Sequence, residues 1–255
     1  MAIPSKRLAT AQLLLLRIAN ALGQNSKVFF LFAPRLRIYS RGEFPLVSFK
    51  EVFVDRIYEP PLALPHQPRI IDIGGYLGLA SLYFALRYPG AHIEVFEPNP
   101  EAYHLLVKNT SALSSAVINV HNFAVGSSEG IAELFVENGP RIPTDASVFC
   151  RDIKKVGNVI RVPTLDIRSI VMSPVDLLKL DIEGAEYDCL EALRPERANI
   201  RMLVIEFHDI VSQAARMAAI LNQLRDSGYN LLDADQRRLA VPTSANENSA
   251  IIWAV

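Results

Sequence analysis

The chain has few cysteines and almost no charge imbalance: 255 residues hold two cysteines, Cys150 and Cys189, and 26 basic against 27 acidic side chains, a net −1. With no Cys-x-x-Cys pair and no cysteine–histidine cluster, neither a disulfide framework nor a structural zinc site is expected, and a reducing, cytoplasmic setting is the simplest home. The missing basic surplus argues against a non-specific nucleic-acid binder, which must neutralise phosphates. Long hydrophobic runs are missing too. Ala11 to Leu22, the most apolar early stretch, is interrupted by Arg17 and Asn20. It is too short to span a bilayer and lacks a signal-peptide cleavage pattern, so no stable membrane insertion is expected. Sixteen prolines and 12 glycines are scattered rather than periodic, which removes collagen-like and low-complexity readings. What is present, 50% hydrophobic and 21% charged residues, suits a globular protein with one large α/β domain and an appendage.

Residues 1–65 read as an N-terminal helical and strand appendage, and 66–255 as the main domain. Leu8 to Leu22 is a helix expected to close at Gly23, packed on the domain or on a second copy of the chain as a homodimer contact. A membrane-surface role for it is the minor alternative. Lys27–Phe32 and Leu36–Tyr39 look like strands; Leu46–Tyr58 is ambiguous. Pro60, Pro61, Pro65 and Pro68 mark an extended entry.

From Arg69 onward, strands alternate with helices, as in a doubly wound, mostly parallel seven-stranded sheet. The main strands are expected at Arg69–Ile73, His92–Phe96, Val117–Phe123, Val175–Leu180 and Met202–Phe207, with Tyr229–Leu232 and Ala250–Val255 closing the sheet as a hairpin. The intervening helices are Leu77–Arg87, one capped by Asn99 and Pro100, Ala185–Leu193 and Ser212–Ser227. Ile131–Val136 and Val159–Pro163 flank a polar insert, 137–158, which holds Arg141, Asp145, Arg151, Lys154 and Lys155.

The strongest motif is Asp72-Ile73-Gly74-Gly75-Tyr76-Leu77-Gly78, between the first main strand and its helix. In such sheets ligands bind beyond the carboxyl ends of the strands. Gly74 and Gly75 remove side-chain bulk where backbone approaches a ligand, and Gly78 lets the helix pack closely. The spacing is not G-x-G-x-x-G in either register, which speaks against a nicotinamide dinucleotide, and no P-loop exists. Asp72 leading the turn is poorly suited to pyrophosphate but can face the ammonium of a methionine-like ligand. Glu97, closing the second strand, is placed to accept both ribose hydroxyls of an adenosine. Together these make S-adenosylmethionine the better ligand. Blander roles stay open: a plain strand–helix turn for the glycines, helix capping for Asp72, and partnering the following helix for Glu97.

The stretches "IIDIGGYLGLASLYFALRYPGAHIEVFEPNPEAYHLLVKN" and "VDLLKLDIEGAEYDCLEAL" resemble the FkbM-type methyltransferases, which are class I, Rossmann-like S-adenosylmethionine-dependent enzymes. The resemblance implies O-methylation of a hydroxyl on a sugar, polyketide or other secondary metabolite. It places Asp72, Gly74 and Gly78 in the cofactor turn and Glu97 at the ribose. It also places Asn122 and Ala124 near the adenine, and Asp181 facing the methionine end and the acceptor. Gly75-Tyr76 departs from the family's usual small or polar residue. N- or carboxyl-methylation by the same fold, and a cofactor-binding module without turnover, are the rival readings; the chain lacks the N-P-P-[FY] tetrapeptide that would favour an amino acceptor.

Methyl transfer is an in-line displacement that needs alignment, exclusion of water and, for a hydroxyl, a place for its proton. The candidates are Asp181 and His208 as general base, within the runs Asp181-Ile182-Glu183-Gly184-Ala185-Glu186 and Glu206-Phe207-His208-Asp209. An unperturbed imidazole titrates near ~6.5, suited to neutral pH. Glu183 and Glu186 could instead serve only the helix dipole, and His208 could be a packing residue. A divalent metal, Mg or Mn, held by Asp181, Glu206 and His208 is a further candidate. Tyr58 and Glu59 are expected to fold over the cofactor as a lid.

Overall fold

The computed structural model describes residues 3–21, 28–31, 36–41, 45–136, 158–193, 199–239 and 249–255. The five insert side chains named above, Gly23 and Cys150 lie outside the described residues. The chain begins with α1 (Lys6–Ala21), β1 (Val28–Leu31), β2 (Leu36–Tyr39) and α2 (Leu46–Phe49), which runs on as a π-helical stretch over Lys50–Asp55. The ambiguous Leu46–Tyr58 segment is therefore mostly helical. It stops at Arg56, which takes a left-handed conformation with φ 61°.

The chain continues as β3 (Arg69–Ile73), α3 (Leu79–Arg87), β4 (His92–Phe96), α4 (Pro100–Thr110) and β5 (Val117–His121). Next come β6 (Ala124–Gly126), β7 (Gly130–Val136), β8 (Asn158–Asp166) and α5 (Ile167–Ile170), then β9 (Leu177–Leu180), α6 (Glu186–Ala192) and β10 (Leu203–His208). The last elements are α7 (Ile210–Asp226), β11 (Leu231–Leu232) and β12 (Ser249–Ala254).

Seven strands form the central sheet in the order β11-β12-β10-β9-β3-β4-β5. All neighbours are parallel except β12, which pairs antiparallel with β10 and β11 as the closing hairpin. The fold class is thus the expected doubly wound α/β sheet. The chain leaves β3 towards β4 and β5 on one side and returns to β9 and β10 on the other. The β3/β9 boundary is therefore the switch point, where such folds open a crevice. A separate three-stranded sheet, β6-β8-β7, carries the excursion.

Why α3 is apolar all round becomes clear from what lies on each side of it. Leu82, Tyr83, Phe84, Ala85 and Leu86 are buried. They share one core with Ile70, Ile93 and Val95 of the sheet and with Ala9, Leu13, Leu16, Phe49 and Phe53 of the N-terminal segment. Phe53 meets Tyr83 edge-on with ring centroids 5.8 Å apart. A helix sandwiched between two layers has no solvent face, and each large side chain so buried contributes about 1.5–3 kcal/mol. A second core on the opposite sheet face joins Leu178, Leu180, Ile205 and Phe207 to α6 and α7. At α4, Asn99 caps as its sequence suggests, its side chain accepting from the Glu101 amide at 3.0 Å.

Candidate active site

The turn after β3 is built from backbone. Gly74 and Gly75 donate their amides to the Phe96 carbonyl at 3.0 and 3.1 Å, lashing the turn to the end of β4. Gly74 has φ +87°, and a Cβ there would lie 1.7 Å from the Asp181 carbonyl oxygen, so only glycine lets the ends of β3 and β9 approach. Gly75 is small for a different reason than expected. Its missing Cβ would strike Val95 Cγ1 at 2.4 Å and Leu106 Cδ2 at 2.9 Å, so its smallness serves packing under the turn. Gly78 meets Leu106 likewise and packs α3 closely, as its place in the motif suggests.

Asp72 sits differently from the expectation. It is fully buried, and its carboxylate is taken up by the Ser81 hydroxyl at 2.5 Å and by Lys179 Nζ at 3.0 Å. It supports the turn from beneath instead of facing a ligand's ammonium. Lys179 was missed in the sequence. This buried ammonium also reaches Asp181 Oδ2 at 3.3 Å and the Gly74 carbonyl at 2.9 Å. Burial alone would lower its pKa, but Asp72 and Asp181 together hold it above the usual lysine range. A lone lysine in the otherwise apolar β9 strand was the available signal, since lysine is almost never fully buried unpaired.

Glu97 ends β4, buried, and its two oxygens accept the Tyr76 and Asn99 amides at 2.8 Å each. The cap-side partner considered for it is therefore real, yet each carboxylate oxygen keeps a second lone pair for a hydroxyl donor. Burial raises its pKa to about 7 despite the two amides. Tyr76, with φ +46°, turns its amide toward Glu97. The two adenine-side candidates also have structural partners of their own. Asn122 donates its side-chain amide to the Glu97 and Pro98 carbonyls at 2.8 and 3.0 Å and so staples the strand end. Ala124 is drawn inward because β6 joins β8, and it packs against Leu134 and Val162.

Across the switch point lies a cluster of acids. Asp181, half-buried, accepts the Tyr58 hydroxyl at 3.1 Å, and that hydroxyl lies 3.3 Å from Glu206 Oε2. Tyr58 thus reaches the ends of β9 and β10 from the N-terminal segment. Glu59 does not join it: its carboxylate is held by Tyr83 and, at 2.8 Å, by Arg87 on α3, away from the strand ends. Glu186 is fully buried and accepts the Ile182 and Gly184 amides, and its Oε1 lies 2.8 Å from His208 Nδ1. It is therefore more than a helix-dipole partner. Burial alone would lower the His208 pKa, but Glu186, Glu183 and Asp181 outweigh it and raise the value to about 9, so the ring does not titrate near neutrality as its sequence suggests. Glu206 is pushed up to about 7 by burial and then by Asp181. Among the described residues, Asp181, Glu183 and His208 bring ligand atoms within 4.8 Å of one another, and Glu206 Oε1 lies 3.8 Å from His208 Nε2.

Residues 72–231 match the Methyltransferase FkbM domain family, more than half of the chain. The chain belongs to the FkbM methyltransferase family. It is 27% identical over 215 residues to methyltransferase sdnD of Sordaria araneosa, covering 72% of this chain and 81% of that one. It is 22% identical to the 31-O-demethyl-FK506 methyltransferase FkbM of Streptomyces tacrolimicus, covering 79% and 88%. Among solved structures it is similar to the precorrin-6y C5,15-methyltransferase of Geobacter metallireducens, at 14% identity and a TM-score of 0.44, covering 79% and 87%. As an FkbM-family protein it is an S-adenosylmethionine-dependent methyltransferase with a Rossmann-like sheet. Among the described residues no helix is long and apolar enough to cross a membrane.

Proposed function

We propose that this FkbM-family enzyme is a cytoplasmic O-methyltransferase whose acceptor is a hydroxyl on a sugar, polyketide or other secondary metabolite. The observation that carries the reading is the meeting of Gly74 and Asp181 at the switch point, with Tyr58, Glu206 and His208 gathered beside it. S-adenosylmethionine supplies an activated methyl on a sulfonium. The backbone turn from Gly74 to Gly78 is the cradle for its amino-acid tail, and Glu97 holds its ribose hydroxyls. Asn122 keeps the Glu97 strand end in place, and the Asp72–Lys179 pair keeps the turn rigid.

On the acceptor side, Asp181 accepts a hydrogen bond from the incoming hydroxyl and aligns its oxygen toward the methyl. The proton passes to Glu206, which the Tyr58 hydroxyl links to Asp181. His208, fixed through Nδ1 by Glu186, orients the acceptor from the other side. Alignment of this kind is the main contribution available to an enzyme when the leaving thioether needs no acid. The relative named for a 31-O-demethyl substrate supports oxygen as the acceptor atom.

The test is to incubate the protein with methyl-labelled S-adenosylmethionine and a panel of hydroxylated acceptors, then locate the label by mass spectrometry and NMR. A labelled methyl ether is expected. Label on nitrogen or on a carboxylate instead would overturn the choice of oxygen.

A further inference from the structure

We infer that Asp181, Glu183 and His208 form a binding site for a divalent cation of the Mg2+/Mn2+ class. The role of the ion rests on the methyl-transfer reading above, but its detection does not.

The His208 ring shows this most directly. Its Nδ1 is 2.8 Å from Glu186, a fully buried carboxylate that already accepts two backbone amides. An acceptor-only partner of this kind puts the hydrogen on Nδ1 and leaves Nε2 as the pole that faces the site. The side chain is 9% exposed, yet Nε2 makes no hydrogen bond. Its nearest carboxylate oxygens are Glu183 Oε2 at 3.6 Å and Glu206 Oε1 at 3.8 Å, beyond N–H···O reach. Glu186 and Glu183 keep the free ring protonated, so an ion that binds at Nε2 takes the place of that proton.

The separation suits something larger. Nitrogen and oxygen ligands each ~2.1 Å from one ion sit roughly 3.0–3.7 Å apart when the angle between them is about 90–120°. Asp181 supplies the third ligand atom, with all three within 4.8 Å of one another. A histidine whose remote ring nitrogen is held by a buried carboxylate is the usual supporting arrangement around a metal-bound imidazole. Two carboxylates with one imidazole favour a hard or borderline divalent ion. The Lys179 charge does not oppose it strongly, because Asp72 balances that ammonium on the far side at 3.0 Å.

The ion would adjoin the methyl donor, since the Asp181 carbonyl closes on Gly74. An acceptor hydroxyl bound to it sheds its proton more readily. That proton goes to Glu206, which is not among the three ligands. The oxygen lone pair then forms the new bond to the methyl carbon, and the carbon–sulfur electron pair leaves with sulfur as a neutral thioether.

The experiment titrates Mn2+ into the full chain and follows the free-ion electron paramagnetic resonance signal. Wild-type protein is expected to quench one equivalent, with Mg2+ competing. Glu183→Gln and His208→Asn should each weaken binding by about tenfold or more, with circular dichroism confirming that both variants fold. An undiminished free Mn2+ signal up to about 1 mM, or quenching that both substitutions leave unchanged, would overturn the proposal. Either negative result leaves the labelled-methyl assay untouched, so failure of the cation site and failure of methyl transfer are told apart.

Discussion

The two halves of the crevice are held together by different means. At the donor half, the β3 turn is fixed by backbone amides to the Phe96 carbonyl and by glycines whose neighbours leave no room for Cβ. Its few charged groups are buried: Glu97 accepts two backbone amides, and Asp72 is paired with Lys179 and Ser81. At the acceptor half, side chains do the holding: Tyr58, Asp181, Glu183, Glu186, Glu206 and His208 come from three separate stretches of chain. The difference suits their tasks. The donor is one molecule, so its cradle can be rigid main chain. A site built from side chains can be altered without rebuilding the sheet.

Gly74→Ala is the sharpest way to break this contrast, because Gly74 is where the halves touch. A Cβ 1.7 Å from the Asp181 carbonyl forces β3 and β9 apart, and φ +87° strains any side chain. Affinity for S-adenosylmethionine should fall by more than about 100-fold in calorimetry, a loss of more than about 2.7 kcal/mol. Gly228→Ala is the control: φ is +95° but nothing lies within 4 Å of the added atom, so only backbone strain remains, about 1 kcal/mol by chemical denaturation.

Lys179→Met comes next and tests whether one buried charge supports both halves. It leaves Asp72 buried without its ionic partner, and removing one member of a buried pair costs about 3–5 kcal/mol. Adding Asp72→Asn to it should recover much of that loss, since the uncompensated charge is then gone. Urea unfolding of the two variants measures both numbers. A double variant no more stable than the single one would show that the ammonium acts mainly through Asp181 and the Gly74 carbonyl.

These contrasts also explain what the sequence revealed. The donor half was legible because it is local: Asp72 to Gly78 is one turn, Glu97 ends the next strand, and Asn99-Pro100 announces the helix after it. The sheet was legible for the same reason, because each strand carries its own β-branched or leucine run between turn residues. The acceptor half was only partly so. Asp181 and His208 stood out as polar residues after buried strands, but Tyr58 lies 123 positions from the carboxylate it meets, and no spacing records that. Glu186 looked like a helix-dipole residue until its burial and its His208 contact were known. Asn122 and Ala124 make contacts that their spacing does not announce: Asn122 bonds the Glu97 and Pro98 carbonyls, and Ala124 enters a small separate core because β6 pairs with β8.

The smallest expected effect concerns the ribose acid and separates its two duties by sign. Burial holds Glu97 at about 7, above its ordinary 4.5. A group whose folded pKa is raised favours the folded state below its unfolded pKa and loses that contribution as pH rises through the folded value. Stability of the ligand-free protein should therefore decline through Glu97 between pH 4.5 and 7, as its carboxylate ionises in a buried place. Donor affinity should run the other way, because the ribose hydroxyls need an acceptor. With a pKa near 7 the ionised fraction rises about tenfold from pH 6 to pH 8, so the dissociation constant should fall by about that factor. Glu97→Gln should flatten both trends. Calorimetric titration with S-adenosylmethionine across that range, beside thermal unfolding of the same samples, reads the two slopes. If both slopes had the same sign, Glu97 would be serving only the Tyr76 and Asn99 amides and the ribose grip would have to come from another group.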